Sequence, residues 1–249
     1  VATGSLLEVR GVRKAFGGVV ANADIGIDVP EGSIIGLIGP NGSGKTTLFN
    51  SIVGFHRIDY GSVRFDGHEV AGMSVAQTAR RGLVRTFQQS HVFDRMSCLD
   101  NVRISDSHAR ETPVDMLRSL PRESEERALK LLEFAGLHEE RHTNAGELSY
   151  GQRKLLELAM ALMSRPKLLL LDEPTAGVNP TMINGVVARL LRANEEMGIT
   201  LLVIEHNMRV IMSLARKIYC LAQGRVLAAG APDEVRSDPR VIEAYLGSR

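Results

Sequence analysis

The stretch Gly39-Pro40-Asn41-Gly42-Ser43-Gly44-Lys45-Thr46, followed by Thr47, constrains this chain more than any other. It fits G-x-x-x-x-G-K-[ST] and has the flanks that this pattern needs. The apolar run from Ser33 to Ile38 reads as a strand leading into it. Leu48, Phe49, Ile52 and Val53 then follow a helical spacing that Gly54 can end. In such a unit the glycines let successive backbone N–H groups turn inward around phosphate oxygens, where a Cβ would block the approach. The helix start adds unsatisfied donors and partial positive charge. Lys45 brings a full charge toward the β- and γ-phosphates, and the Thr46 hydroxyl can ligate Mg2+. A Gly/Ser loop without function would have neither flank.

Other acidic and polar residues fall at comparable places. Leu168-Leu169-Leu170-Leu171-Asp172-Glu173 is an apolar strand ending in two carboxylates, which are costly there unless something positive is nearby. Asp172 suits a water-shelled Mg2+ and Glu173 can polarise an attacking water. Gln88 follows the strand-like Leu83 to Phe87, and His206 follows Ile199 to Glu205. Ligands of open α/β sheets bind beyond the carboxyl ends of the strands, so the phosphate loop, Gln88, Asp172, Glu173 and His206 are expected to converge on one nucleotide.

At 249 residues, with 44% hydrophobic and 24% charged residues, the chain has enough material for one or two domains with a substantial core. Thirty Lys and Arg against 29 Asp and Glu leave a formal charge of +1, which disfavours a nucleic-acid binder relying on a global positive field. Two cysteines, Cys98 and Cys220, make neither a disulfide framework nor a cysteine zinc site, so a reduced, cytosolic compartment is expected. Apolar runs such as Leu158 to Met163 fall short of the roughly 20 residues of a membrane span. The opening residues lack a basic region with an apolar core, so no signal peptide is expected.

Along the chain, Leu6 to Val29 predicts short strands and Gly61 to Phe65 another. Ser74 and Gln77 predict a capping box for a short helix ending near Gly82. From about residue 90 to 161 the pattern is helical, with Ala128, Leu131, Leu132 and Ala135 on one face and Leu155, Leu158, Ala159 and Leu162 on another. Ser149 and Gln152 predict a second capping box. Afterwards strand and helix alternate. Lys167 to Leu171 and Ile199 to Ile204 read as strands. Ile183, Val186, Val187, Leu190 and Leu191 stripe a helix that Gly198 ends, and Met208, Ile211, Met212 and Ala215 stripe another. Gln223-Gly224 turns a hairpin. Alternation of this kind predicts a mostly parallel sheet covered by helices, with the helical block inserted into it.

Two other patterns have simpler explanations. His138-Glu139-Glu140-Arg141-His142 matches H-E-x-x-H, but Gly136 before it and Asn144 to Gly146 after it predict a connecting segment rather than a zinc-binding helix. Asn41-Gly42-Ser43 has the form of a glycosylation acceptor but lies inside the phosphate loop.

With these residues in place, the chain resembles the ATP-binding subunits of ABC transporters over essentially its whole length. The most specific addition is Leu148-Ser149-Tyr150-Gly151-Gln152, similar to the family's L-S-G-G-Q signature and placed shortly before Asp172. The resemblance implies a P-loop NTPase core, an antiparallel β subdomain and an inserted helical subdomain at about 90–161, within one nucleotide-binding domain spanning 1–249. It implies ATP and Mg2+ as ligands and head-to-tail pairing with an identical or different second subunit. Ser149, Gly151 and Gln152 would then face the γ-phosphate held by the other subunit's loop. Phe16 matches the adenine-stacking aromatic, Gln88 a residue sensing Mg2+ and water, Glu173 the general base and His206 the switch histidine. A permease contact is expected from Gln88 to Val102, a stretch containing Cys98. Tyr150 departs from the usual first glycine of the signature, and Asn179 stands where an Asp is usual.

L-S-Y-G-Q, Arg85 to Gln88, Ala176-Gly177-Val178-Asn179-Pro180, Ile204 to Met208 and Ala244-Tyr245-Leu246-Gly247 together resemble the ATPases of bacterial branched-chain amino acid importers. That branch implies permease partners, an indirectly coupled substrate-binding protein, no direct nucleic acid, and a peripheral position on the cytoplasmic face of the inner membrane. An importer of another small solute, such as an amide or lipid component, remains open. So does a soluble ABC-type ATPase acting on nucleic acid or ribosomes, although no tandem cassette, long coiled coil or basic extension is visible. An unrelated P-loop kinase or GTPase would leave the signature unexplained, and no N-K-x-D guanine motif occurs.

Overall fold

The computed structural model describes residues 4–86, 92–106 and 122–246. Strands β1 (Ser5–Phe16), β2 (Val19–Pro30) and β3 (Ile34–Ile38) precede helix α1 (Lys45–Ile52), followed by β4 (Tyr60–Phe65), β5 (His68–Glu69), α2 (Val75–Arg80) and β6 (Leu83–Arg85). Helices α3 (Cys98–Ile104), α4 (Arg122–Ala135) and α5 (Tyr150–Met163) come next, the last after a 3-10 turn at Ala145–Glu147. The order then runs β7 (Leu168–Asp172), α6 (Pro180–Met197), β8 (Thr200–Ile204), α7 (Met208–Leu214), β9 (Lys217–Ala222), β10 (Arg225–Gly230), α8 (Pro232–Ser237) and α9 (Pro239–Leu246). The chain forms two compact units: Val1–Arg85 with Lys167–Glu173 and Leu191–Arg249, and Thr86–Pro166 with Pro174–Leu190.

The first unit contains two sheets. An antiparallel one has the order β2-β1-β4-β5, and a six-stranded one has the order β10-β9-β3-β8-β7-β6. In the second, β3 runs parallel to β8 and β9, β7 parallel to β8 and β6, and only the β9–β10 hairpin is antiparallel. Strands β3, β7 and β8 are buried at every position. A parallel strand covered on both faces favours apolar residues along its length, which is why Ile, Leu and Val dominate these segments. Leu48, Phe49 and Ile52 of α1 join Leu37, Leu170, Leu202 and Ile204 in one apolar cluster, which also takes in Leu7, Ile25 and Phe65 from the first sheet. Burying a side chain of this size contributes about 1.5–3 kcal/mol. The core thereby fixes β3 and α1 on either side of the phosphate loop.

The expectation of short strands between Leu6 and Val29 is corrected to two strands of 12 residues each. The register of β1 against β2 shifts between Val9 and Val12, where Gly11 and Asp24 both have left-handed backbones. A bulge of this kind breaks the alternation of side chains without ending the strand. The stripe on α7 is also corrected. Val210, Ile211, Leu214 and Ala215 are buried, while Met208 and Met212 are only half-buried. With seven residues capped by Asn207, the helix turns a narrower face inward. The hairpin at Gln223-Gly224 has positive φ at both residues, the backbone of a type I′ turn.

The second unit is helical among its described residues apart from an isolated bridge between Ser97 and Asn144. Ala128, Leu131, Leu132 and Ala135 of α4 are buried, as are Leu155, Leu158, Ala159 and Leu162 of α5, and α3, α4 and α5 pack together. Asn101 is fully buried; its amide accepts from the Phe93 N–H at 2.7 Å and donates to the carbonyls of Phe93, Met96 and Ser97. Cys98 beside it has no exposed surface, so it is not a surface thiol within the expected permease contact. His138 to His142 lies in turns, and no metal-holding group of His, Cys, Asp and Glu occurs among the described residues. Nor is any described helix long and apolar enough to cross a membrane.

Candidate functional site

The phosphate loop leaves β3 through Gly39, at φ 146°, where an added Cβ would lie 2.1 Å from the Leu221 carbonyl oxygen. At Gly44, φ 101°, it would lie 2.3 Å from the Ala21 carbonyl oxygen. Both positions exclude every other residue by space as well as by backbone angle. Neighbouring segments brace the loop. The buried Asn22 donates to the Gly44 carbonyl at 3.0 Å, the Gly224 N–H to the Ser43 carbonyl at 3.1 Å, and the Gly39 N–H to the Tyr245 hydroxyl at 2.8 Å. Helix α1 begins after Gly44 with no side-chain cap, so its first amides remain available as anion donors. Lys45 is buried, and its ammonium donates to the carbonyls of Gly39 at 2.8 Å and Pro40 at 3.0 Å. Burial pushes its pKa down, opposed by the nearby Glu173 and Asp172 carboxylates.

Asp172 ends β7 with a fully buried side chain. Its Oδ2 accepts from the Arg85 guanidinium at 2.7 Å, whereas its buried Oδ1 has no hydrogen bond. Burial pushes this carboxyl up, and Arg85 pulls the other way. Arg85, which also donates to the Asn50 side chain, is a member of the site that sequence reasoning had not paired with Asp172. Strand register explains the meeting. Arg85 lies opposite Leu170 on the parallel neighbour, and Asp172 is two residues further along the same face. An arginine closing a short apolar strand was the available signal.

Glu173 has a left-handed backbone, φ 52°, and its N–H bonds the Ile204 carbonyl at 2.9 Å. A non-glycine residue held there costs about 1–3 kcal/mol, a form of strain that clusters at functional sites. Its Oε1 lies 2.8 Å from His206 Nε2. Beneath them the buried Glu205 accepts from the backbone N–H groups of His206 and Asn207. The first unit therefore brings together Lys45, Asp172, Glu173 and His206 at the ends of β3, β7 and β8. An unpartnered buried carboxylate oxygen together with the exposed Thr46 hydroxyl suits a hard, largely hydrated cation such as Mg2+. Phe16 ends β1, 46% exposed, with its ring edge-on to His56 at 5.0 Å and the Lys14 ammonium 5.2 Å from its centre. Gln88 lies outside the described residues.

In the second unit, Ser149 and Gln152 form the full capping box of α5. The Ser149 hydroxyl lies 2.8 Å from Gln152 Oε1, and Gln152 Nε2 donates to Glu140 at 3.1 Å. The two departures from the family pattern both have structural explanations. Tyr150 turns its ring onto Gly177, where a Cβ would come within 3.0 Å of it, and the Lys154 ammonium sits 5.6 Å from the ring centre. Asn179 Oδ1 accepts from the Thr181 N–H at 3.1 Å at the start of α6, a capping task that an amide performs as well as a carboxylate. A Cβ at Gly151 would come within 2.7 Å of Met182 Sδ, so the methionine side chain must shift to admit any larger residue.

Comparison with known proteins bears on the same features. The ABC transporter family model matches residues 23–176, and the model described as branched-chain amino acid ATP-binding cassette transporter matches residues 225–249. The high-affinity branched-chain amino acid transport ATP-binding protein BraF of Pseudomonas aeruginosa is 39% identical over 97% of this chain and 98% of its own. LivG of Escherichia coli, named for the same transport, is 35% identical over the same shares. The crystal structure of the ADP conformation of MJ1267, an ATP-binding cassette of an ABC transporter, superposes with a TM-score of 0.89 at 36% identity, covering 99% of this chain and all of that one. This chain belongs to the ABC transporter ATP-binding cassettes, in the branched-chain amino acid transport family.

Proposed function

We propose that the chain is the ATPase subunit of an importer of branched-chain or related hydrophobic amino acids, peripheral on the cytoplasmic face of the cell membrane. It works with a second ATP-binding subunit, permease subunits and, through them, a substrate-binding protein. The observation that carries the catalytic reading is the cluster of Lys45, Asp172 and the Glu173–His206 pair at neighbouring strand ends, beside an uncapped helix start. The relatives' names support the cargo.

In this reading Lys45 exchanges the carbonyls of Gly39 and Pro40 for β- and γ-phosphate oxygens, and the first amides of α1 share the phosphate charge. Asp172 and Thr46, with Gln88, would hold Mg2+, which when bound neutralises charge on the β,γ-oxygens. Glu173 takes a proton from the attacking water as oxygen bonds to the γ-phosphorus and the bond to the ADP oxygen breaks. His206 holds the Glu173 carboxylate in place and faces the γ-phosphate. Phe16 stacks on the adenine. Ser149, Gly151 and Gln152 of the second subunit close over the γ-phosphate, so hydrolysis requires the pair. The test is leucine, isoleucine and valine uptake into vesicles holding the chain, its companion ATPase and permeases, with ATP on the ATPase side and the binding protein opposite. ATP-dependent accumulation of these amino acids is expected. ATP hydrolysis without uptake of any of them would remove the cargo assignment.

A further inference from the structure

We propose that Tyr245 of the C-terminal helix α9 is a positioning residue for the phosphate loop, and that its hydroxyl sets ATP affinity by holding the Gly39 N–H. The hydroxyl accepts that N–H at 2.8 Å from a position 206 residues away in the chain. The phenol keeps its proton throughout neutral and moderately alkaline pH, because partial burial pushes its pKa up to about 12. The oxygen is thus a neutral, permanent acceptor.

The affinity argument comes from what else holds this corner. Gly39 cannot shift toward β9, since the Leu221 carbonyl oxygen already stands where a Cβ would be. The Lys45 ammonium donates to both carbonyls of the Gly39–Pro40 segment, and the Ser43 N–H donates to that of Pro40 at 3.2 Å. In the mechanism above, on which this inference rests, that ammonium transfers to phosphate. The segment then loses two charge-assisted bonds; Pro40 keeps the bond from Ser43, and Gly39 keeps the bond to Tyr245. The hydroxyl is therefore more important in the loaded loop than in the unloaded one, and an interaction with unequal weight in two states shifts the equilibrium between them.

The test replaces Tyr245 by Phe, which preserves the ring and its packing and removes only the acceptor. ATP binding is measured directly by calorimetry in the non-hydrolysing Glu173→Gln background, and KM and kcat in the otherwise wild-type complex with its permeases. A weakening of about 3–10-fold in Kd and KM is expected, the range for loss of one intramolecular hydrogen bond, with kcat at saturating ATP within about twofold. The nucleotide-free melting temperature should change less than the ATP-bound one. An unchanged Kd, or equal drops in melting temperature with and without ATP, would overturn the proposal. If the Tyr245-bearing protein itself failed to bind ATP, the reading of the phosphate loop would fall first.

Discussion

Two helix starts in this molecule are assigned to phosphate, and they are built in opposite ways. Helix α1 opens after Gly44 with no side-chain cap, and its donors stay unspent. Helix α5 opens on Ser149 with a complete capping box, in which the hydroxyl and the backbone N–H are both engaged with Gln152. The first is a standing anion site. The second is a satisfied helix end whose serine must exchange Gln152 for a phosphate before it can contribute. Under the proposed mechanism, this difference is why one start holds nucleotide within a single chain, whereas the other acts when a partner's nucleotide is presented to it.

The comparison breaks most readily on the α1 side. Glu173→Gln removes the proton acceptor while leaving the cradle intact, so steady-state hydrolysis should fall about 10²–10⁴-fold with ATP binding retained. Hydrolysis near wild type in a phosphate-release assay would take the base assignment away. Arg85→Ala leaves the Asp172 carboxylate buried without its guanidinium, a loss of about 3–5 kcal/mol. Urea unfolding should read that loss, and the paired change Arg85→Met with Asp172→Leu should recover most of the stability but none of the hydrolysis. Lys45→Ala should weaken ATP binding by roughly 10–100-fold, the range for a charged hydrogen-bond donor. Unchanged affinity in an equilibrium titration would show that the lysine serves only the loop carbonyls.

On the α5 side a pair of substitutions separates cap from contact. Ser149→Ala should cost about 1 kcal/mol of stability, and Ser149→Gly only a few tenths, because glycine is a tolerable N-cap. If the hydroxyl meets a partner's phosphate, both variants lose hydrolysis alike despite their different melting temperatures. Hydrolysis that tracks stability instead would reduce Ser149 to a cap. The smallest effect uses one thiol in each unit. Cys98 and Cys220 are both buried, and burial pushes each thiol up to about 11. Neither should react with iodoacetamide at pH 8 in the native state. ATP should slow the eventual modification of Cys220, next to the phosphate loop, more than that of Cys98, as peptide mapping would show.

Much of the fold is legible locally. The apolar runs within β3, β7 and β8, the serine–glutamine spacing of both capping boxes and the glycines of the phosphate loop each declare their structure within a few residues. The acid pair Asp172-Glu173 announces a functional strand end in the same way. By contrast, the bulge in β1 hides the length of that strand, and the two short helices α8 and α9 lack a long periodic stripe. Arg85 meeting Asp172, Tyr150 covering Gly177 and Tyr245 holding Gly39 have no local signature.

From the amino-acid order alone came the parallel α/β core, the triphosphate loop and the chemical identity of the groups around it. Hydrophobic period, caps and backbone angles act over a turn or a strand and are written in neighbouring residues. Tertiary structure decided which of those groups are partners, because strand register and the docking of distant helices are properties of the whole packed chain.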